Sequence, residues 1–412
     1  MPTPESAIII GSGIGGPLCA LALYRKQIPV CLYESRSSPE TLGGAINLTP
    51  NAIRILAKFD LLPKLLSLGC SVTKLQFFSA HSGAALGTIS FGSIEQYGFE
   101  SLRVCRSDLQ RVLLESIAEK GIEVRYNKKL VGVEEDAVGG EHITAVFSDG
   151  SKETADLLIG ADGIHSTVRR SFVNPGCDAT YSGICSAYGF ASWDKVAKEG
   201  IEFDTTALAV GRKGSFLMSF CNPEKTRVFW AVVMAVAEGE VPEREDAGWR
   251  VRDEGRTKSE IVTRFDDSEK WRETVRTAVM AEDETFFFPV NELPAEGRWW
   301  RGRCVLIGDA AHAMPPQGQS IGLAFEDAVI LARVLGEMKD EATVEERLRR
   351  YDELRRPRVA AARKEAAKSR ESLKEVHWFV QWCREWLYWF FLAVFAKHSE
   401  TAFMYDAEKE EV

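Results

Sequence analysis

The 412 residues carry 60 acidic and 51 Lys or Arg side chains, a net charge of −9, with 45% hydrophobic and 27% charged residues. This balance excludes a disordered chain, which would lack the apolar residues to build a core, and it argues against nucleic-acid binding, which needs a basic face. Nine cysteines without Cys-x-x-Cys spacing and six scattered histidines point to reduced, buried thiols in a reducing compartment and suggest no metal site.

The run Ala7-Ile8-Ile9-Ile10 reads as a buried strand. Glycines follow it at once, so no cleavable leader is expected. Residues 7–34 form a strand–turn–helix–strand unit, with the turn at 11–16, the helix at 17–26 and the second strand at 29–33. Ile53, Leu56, Ala57 and Leu61 recur at helical spacing and predict a helix within 50–68. Short strands with glycine turns follow over 73–104, then a helix over 106–120 and strands at 122–126 and 143–147. Asp149-Gly150 is a turn signal, and 157–160 is another buried strand. Over 177–290 aromatic and β-branched runs such as 215–220 and 228–234 alternate with turns, and a charged stretch covers 238–258. This block predicts a β-rich layer with helices. A buried strand at 304–307 and a helix at 318–335 return to the earlier character. Charged helical sequence at 343–375 then leads to a Trp-rich end.

No stretch reaches the roughly 18 apolar residues of a membrane span. The nearest runs from Trp386 to Ala396, preceded by Trp378, Phe379 and Trp382 and interrupted by Arg384 and Glu385. It is expected to pack on this protein or on a second copy, with membrane-surface contact as the disfavoured alternative. The expected location is cytoplasmic, and the assembly a monomer or a homodimer.

Gly11-Ser12-Gly13-Ile14-Gly15-Gly16 is a G-x-G-x-x-G between strand and helix. Gly11 permits the tight turn, Gly13 lets the backbone approach a pyrophosphate, and Gly16 lets helix and strand pack closely. The helix start offers free N–H groups to the phosphate. Glu34, at the end of the next strand, supplies a carboxylate for ribose hydroxyls. Arg36 lies either near the same ribose or in solvent. This motif alone does not separate FAD from NAD.

Two further motifs do. The run from Asp156 to Arg169, with Asp162-Gly163 at its centre, resembles the Asp-Gly fingerprint of flavoprotein hydroxylases. The run from Arg303 to Pro316, with Gly308-Asp309 at its centre and continuing through Gln317 to Asp327, resembles their Gly-Asp fingerprint. Arg106 with Leu109 and Leu113, the stretch from Tyr351 to Arg358, and Tyr405-Asp406 agree. The chain is thus similar to the class A, single-component aromatic-hydroxylase-type FAD monooxygenases, nearest to the salicylate-hydroxylase-like and fungal natural-product branches. The resemblance is weakest over 177–290 and 371–400.

It implies an α/β (mixed α+β) fold: a Rossmann-like FAD-binding domain of the p-hydroxybenzoate-hydroxylase type, an interleaved β-sheet substrate domain and a C-terminal helical segment. The FAD-binding domain would take 1–72, 106–176 and 291–370. Strands at 73–105 would contribute to the substrate layer, 177–290 would form the substrate domain, and 371–412 the aromatic-rich helical end. The resemblance also implies FAD contacts from Arg106, Asp162, Gly163 and Asp309. Gly318 and Gly322 would open a helix aimed at the flavin, Gly44 and Ala45 would pass over its ring, and Pro315 would flank the reactive carbon. NADPH or NADH would reduce the flavin, O2 would add at C4a to give a hydroperoxide, and its distal oxygen would hydroxylate or epoxidise the substrate. His312, inside the third fingerprint, is expected to be structural.

The chain departs from its relatives where several carry a His and a Tyr on a substrate-domain strand. The corresponding positions align with Phe216 and Phe220, and no histidine lies between His165 and His312. An apolar pocket containing Phe216 and Phe220 and an already electron-rich substrate (an aromatic, an indole, an alkene or a polyketide enol) follow as expectations. Tyr188, Asn47 and Arg212 are further candidates for catalytic roles, against the plainer readings of a structural tyrosine, a loop residue and a surface charge. The competing readings are a flavin-dependent halogenase, whose Trp-x-Trp-x-Ile-Pro motif is not apparent, an FAD-dependent reductase or dehydrogenase, and a non-catalytic flavin-binding interaction protein.

Overall fold

The structure, a computed structural model, describes residues 4–39, 43–136, 140–241, 254–266, 269–281, 285–316, 318–339, 341–371, 375–395 and 401–412. Gln317, Ala396 and residues 242–253 of the charged stretch lie outside them.

The Ala7–Ile10 strand is buried along its whole length. It has no polar residue because it has no solvent face: it sits in the middle of a sheet covered by helices on its faces. That sheet runs, in spatial order, Trp300–Arg301, Cys304–Leu306, Leu157–Gly160, Ala7–Ile10, Val30–Tyr33 and Glu123–Arg125. All neighbours are parallel except the first pair. The helices Gly15–Arg25 and Ser320–Glu337 pack on one another beside it, and Arg106–Glu119 packs on the first of them. Leu18, Leu158, Val305 and Leu331 are fully buried in the resulting core.

A second, seven-stranded sheet has the order Phe286–Glu292, Thr180–Ser192, Arg227–Ala235, Gly214–Phe220, Thr206–Gly211, Lys74–Ser79 and Ala85–Ser90. Side chains alternate between its two faces. One face packs under the helices Glu254–Arg264 and Glu269–Met280 through Phe216, Trp230, Phe265 and Trp271. The other face presents Tyr188, Phe229 and Phe286 with the partly buried Leu217, Ala231 and Phe288. This face meets the nucleotide-binding half, since a Cβ placed on Gly44 would touch Phe229 and Tyr188.

The 73–105 segment divides. Its first two strands join the seven-stranded sheet, whereas Ser101–Cys105 pairs with Ala45–Leu48 and Cys70–Val72 in a small separate sheet. This sheet lies where the two halves meet.

Among the described residues no helix is long and apolar enough to cross a membrane. The Trp378–Phe395 helix is held by Gln381, whose amide donates to the Val210 carbonyl, by Tyr388 stacked on Phe77, and by Leu392 packed at Gly87. Trp378, Trp382, Trp386 and Trp389 stand exposed on it.

Candidate active site

Three sequence motifs that lie far apart along the chain come together at one edge of the parallel sheet. Gly11, Glu34, Asp162 and Gly308-Asp309 each follow the C-terminal end of one of four neighbouring parallel strands. In open α/β sheets that edge is where ligands bind.

Gly11 has φ +106°, and a Cβ there would stand 2.6 Å from the Ala161 carbonyl oxygen. Only glycine accepts both conditions. A Cβ on Gly16 would meet the Gly11 carbonyl oxygen at 2.0 Å, so the helix starts against the turn itself. Gly13 and Gly163 face open space. The Gly15–Arg25 helix has no side-chain cap at its start, leaving its first amides for a ligand. Glu34 accepts hydrogen bonds from the Ser12 amide at 3.0 Å and the Ser12 hydroxyl at 2.9 Å, and from the Arg36 amide at 3.0 Å. Burial acts to raise its pKa, but these donors outweigh it and the carboxyl lies below its usual range. Glu34 is therefore a held anion beside the glycine turn. The Arg36 side chain is exposed.

One oxygen of Asp162 accepts from the Thr167 and Val168 amides, at 2.7 and 3.2 Å. The other is buried without a partner, and burial raises the carboxyl's pKa. Asp162 thus serves the strand-ending turn and keeps an acceptor free. Asp309 is exposed at the start of a short helix. The Ser320–Glu337 helix likewise starts without a side-chain cap, after Gly318 at φ +79°. Buried Pro315 precedes it, and the Gln319 side-chain oxygen is buried without a partner. Gly322 answers a different need: a Cβ there would stand 2.8 Å from Asn51 Nδ2, so its small size lets two helices pack.

His312 is structural. Its Nε2 lies 2.6 Å from Asp327, which also accepts from the Gly308 amide and from Arg355 Nε at 2.8 Å each. Arg355 further pairs with Glu326 at 2.9 Å, and Glu326 accepts from Asn51 at 2.7 Å and pairs with Arg358 at 3.0 Å. Asp327 is fully buried, which works to raise its pKa, yet the His312 and Arg355 charges hold it down at about 2. This network ties the Gly-Asp turn to the Tyr351–Arg358 region. Tyr405 joins it through its hydroxyl, 3.5 Å from Arg355.

The second face of the seven-stranded sheet meets this half of the molecule at Gly44. Here two expectations need correction. Phe216 is wholly buried against Trp230, Phe265 and Trp271, and Phe220 stacks on Phe203 and Trp193. Both point to the helix-covered face. Alternation along the strand puts Ser215, Leu217 and Ser219 on the cleft face instead. Arg212 is also misplaced by the sequence reading: it lies past the end of Thr206–Gly211, and its guanidinium donates to the Val376 carbonyl, anchoring the C-terminal segment.

Tyr188 lies on the face that meets Gly44, between Phe229 and Phe286. Burial raises its phenol to about 12, against a smaller opposing effect of Arg106. Gly44 is pressed on the same wall, with Phe229 2.2 Å from its would-be Cβ, and Ala45 joins that cluster. Arg106 packs over Gly43, and its Nε is buried without a partner. Asn47 has both amide atoms buried and unpartnered. The sequence reading missed Arg103, directly opposite Asn47 in the small sheet and equally buried. Its sign was available only as an arginine inside a strand of otherwise apolar character.

Residues 5–366 match the FAD binding domain family. The chain belongs to that family. Its relatives place this flavoprotein among the monooxygenases. A 3-amino-4-hydroxybenzoate 2-monooxygenase of Streptomyces platensis is 31% identical over 372 residues, 90% of this chain and 88% of that protein. An FAD-dependent urate hydroxylase of Klebsiella pneumoniae is 28% identical over 357 residues, 86% of each chain. The crystal structure of Klebsiella pneumoniae HpxO complexed with FAD and uric acid superposes with a TM-score of 0.77 at 25% identity, covering 93% of this chain and 92% of that one. The residues present fit FAD: two uncapped helix starts, an open Gly13, and buried polar atoms of Asp162, Gln319 and Arg106 without partners among the described residues offer the donors and acceptors such a dinucleotide uses.

Proposed function

We propose that the chain is an FAD-dependent monooxygenase that uses NAD(P)H and O2 to place one oxygen atom on a small, electron-rich aromatic molecule. The observation that carries this is the convergence of Gly11, Glu34, Asp162 and Asp309 on one sheet edge, opposite an apolar wall. The similar proteins are named for acting on 3-amino-4-hydroxybenzoate, urate and 6-hydroxynicotinate.

Glu34 would hold the ribose and the amides after Gly13 the pyrophosphate. The uncapped amides that open the Ser320–Glu337 helix would stabilise the negative charge of reduced flavin. FAD, when bound, supplies the redox chemistry, taking hydride from NAD(P)H and activating O2 for transfer. The wall of Tyr188, Leu217, Phe229, Ala231 and Phe288 keeps bulk water from that chemistry and orients a flat ring. The central positions of this wall, Ser186, Tyr188, Ser215, Leu217, Phe229, Ala231 and Val233, carry no carboxylate or imidazole. Tyr188, with its raised pKa, stays protonated at neutral pH and acts as a hydrogen-bond donor. Activation by a protein base is therefore not part of the reading; the substrate brings its own electron density.

The test is oxygen uptake by FAD-loaded protein with NADPH or NADH and a panel of hydroxylated aromatics, indoles and polyketides. Substrate-stimulated uptake matched by an oxygenated product is expected. Uptake recovered wholly as H2O2 with every compound, or flavin that neither nucleotide reduces, would sink the reading.

A further inference from the structure

Arg103 poses a problem in electrostatics. It is 7% exposed, and no hydrogen bond or ion pair to a described residue satisfies it. A buried guanidinium without a partner is costly, so such groups occur where a ligand completes them. No carboxylate among the described residues pairs with it. The ionisable groups that face it are the thiols of Cys70, pushed up by burial, and Cys221, pushed up by its hydrogen bond with Cys105, whose own thiol that bond lowers. Burial depresses the guanidinium itself to about 10, still cationic at neutral pH.

Asn47 stands opposite Arg103 on the paired strand, 8% exposed, with both amide atoms unpartnered. Paired residues of neighbouring strands share a face. On that face Ala45, the next position but one, touches the cluster of Tyr188 and Phe229, and the Arg103 guanidinium lies over the Phe229 ring at 5.9 Å. Two paired buried polar side chains, one positive and one neutral donor–acceptor, thus lie beside the Tyr188–Phe229 cluster with no hydrogen-bond partner among the described residues.

We propose that Arg103 and Asn47 form an anion-recognition site for the substrate, taking a carboxylate or a ring oxyanion of the aromatic molecule. This rests on the monooxygenase reading above. The guanidinium accommodates two oxygens of one anion, and the Asn47 amide adds a donor that fixes the ring's orientation. Phe229, stacked beside the cation, supplies the apolar contact for the ring. The site makes the enzyme selective for acids over isosteric neutral compounds, because a neutral ligand would leave a buried charge unsatisfied.

The experiment titrates oxidised, FAD-loaded protein and reads the perturbation of the flavin absorbance. The probes are matched pairs: 4-hydroxybenzoate against 4-hydroxybenzamide, which isolates the carboxylate, and 4-nitrophenol at pH 8.5 against 4-nitroanisole, which isolates the ring oxyanion. At least one acid is expected to bind roughly tenfold to hundredfold tighter than its neutral partner. R103M and R103Q are expected to erase that ratio, N47A to reduce it, and R103K to keep part of it. R103M should retain flavin and leave Tm unchanged or higher, because the charge it removes has no ion pair or hydrogen bond among the described residues and the Met side chain keeps the contact with Phe229. Equal binding of acid and neutral probes, no binding of either acid, or a fall of several degrees in Tm for both R103M and R103K would overturn the proposal. Flavin that NAD(P)H fails to reduce with any compound would overturn the monooxygenase reading instead, since the titrations on oxidised flavin do not depend on turnover.

Discussion

A Cβ atom on Gly16 would stand 2.0 Å from the carbonyl oxygen of Gly11. That contact is with rigid backbone, so a methyl group cannot be absorbed by a side-chain shift. Gly16→Ala is expected to displace the helix start, to cost about 1–3 kcal/mol of stability, and to yield protein that retains little flavin. The ratio of visible to ultraviolet absorbance after purification, together with the denaturant midpoint, checks this. Gly13→Ala is the contrast: with open space at its Cβ position, it should fold normally and fail only in cofactor affinity.

Glu34 is held in place by four donors from Ser12, Ser35 and Arg36. Its carboxylate is the feature the ribose would use. Glu34→Ala should weaken FAD binding by roughly tenfold to hundredfold while Tm of the flavin-free protein changes little. Fluorescence titration with FAD measures it. An unchanged affinity would remove Glu34 from the cofactor site.

Asp327 gives a pH dependence whose sign is set by its depressed pKa. In the unfolded chain the group titrates near 4, and in the folded protein at about 2. Its stabilisation is fully present above about pH 4 and is lost as pH falls toward 2, amounting to roughly 2 kcal/mol. Asp327→Asn should flatten that part of the profile. It should also destabilise the protein by about 3–5 kcal/mol at neutral pH, because Arg355 and His312 lose a shared buried partner. Urea midpoints of both proteins between pH 2.5 and 7 provide the comparison.

Phe216 and Leu217 are neighbours on one strand with opposite duties. Phe216→Ala is expected to cost about 3–5 kcal/mol and to leave the identity of the product unchanged, because its ring lies among Trp230, Phe265 and Trp271. Leu217→Phe should leave Tm within a few degrees and narrow the range of accepted aromatics, since it fills the cleft. Product analysis beside thermal melts separates the two. A changed product with Phe216→Ala and none with Leu217→Phe would reverse the assignment of the strand's faces.

The glycine turns, Glu34 and Asp162 were legible because each depends on local geometry: a strand end, a positive φ, a helix start within a few residues. The structural part of His312 followed from the resemblance alone, since its partner Asp327 lies a helix away. The Phe216 and Phe220 expectation failed by a single position, and in a strand one position exchanges the faces. Arg212 stood between a site residue and a surface charge because nothing local shows that Val376 waits for its guanidinium. Gly44 and Gly322 were recognised as needing to be small, but the reasons, Phe229 and Asn51, lie far away in sequence.

What the sequence determined by itself was the set of glycine turns and the alternation of buried strands with helices, since those follow from the backbone freedom and polarity of adjacent residues. What only the tertiary structure decided was which face of the seven-stranded sheet meets the other half, and that Arg103 and Asn47 lie there without hydrogen-bond partners among the described residues. Solvation of a charge depends on everything packed around it, and for Arg103 those neighbours are gathered from three separate strands, at Asn47, Cys70 and Phe229.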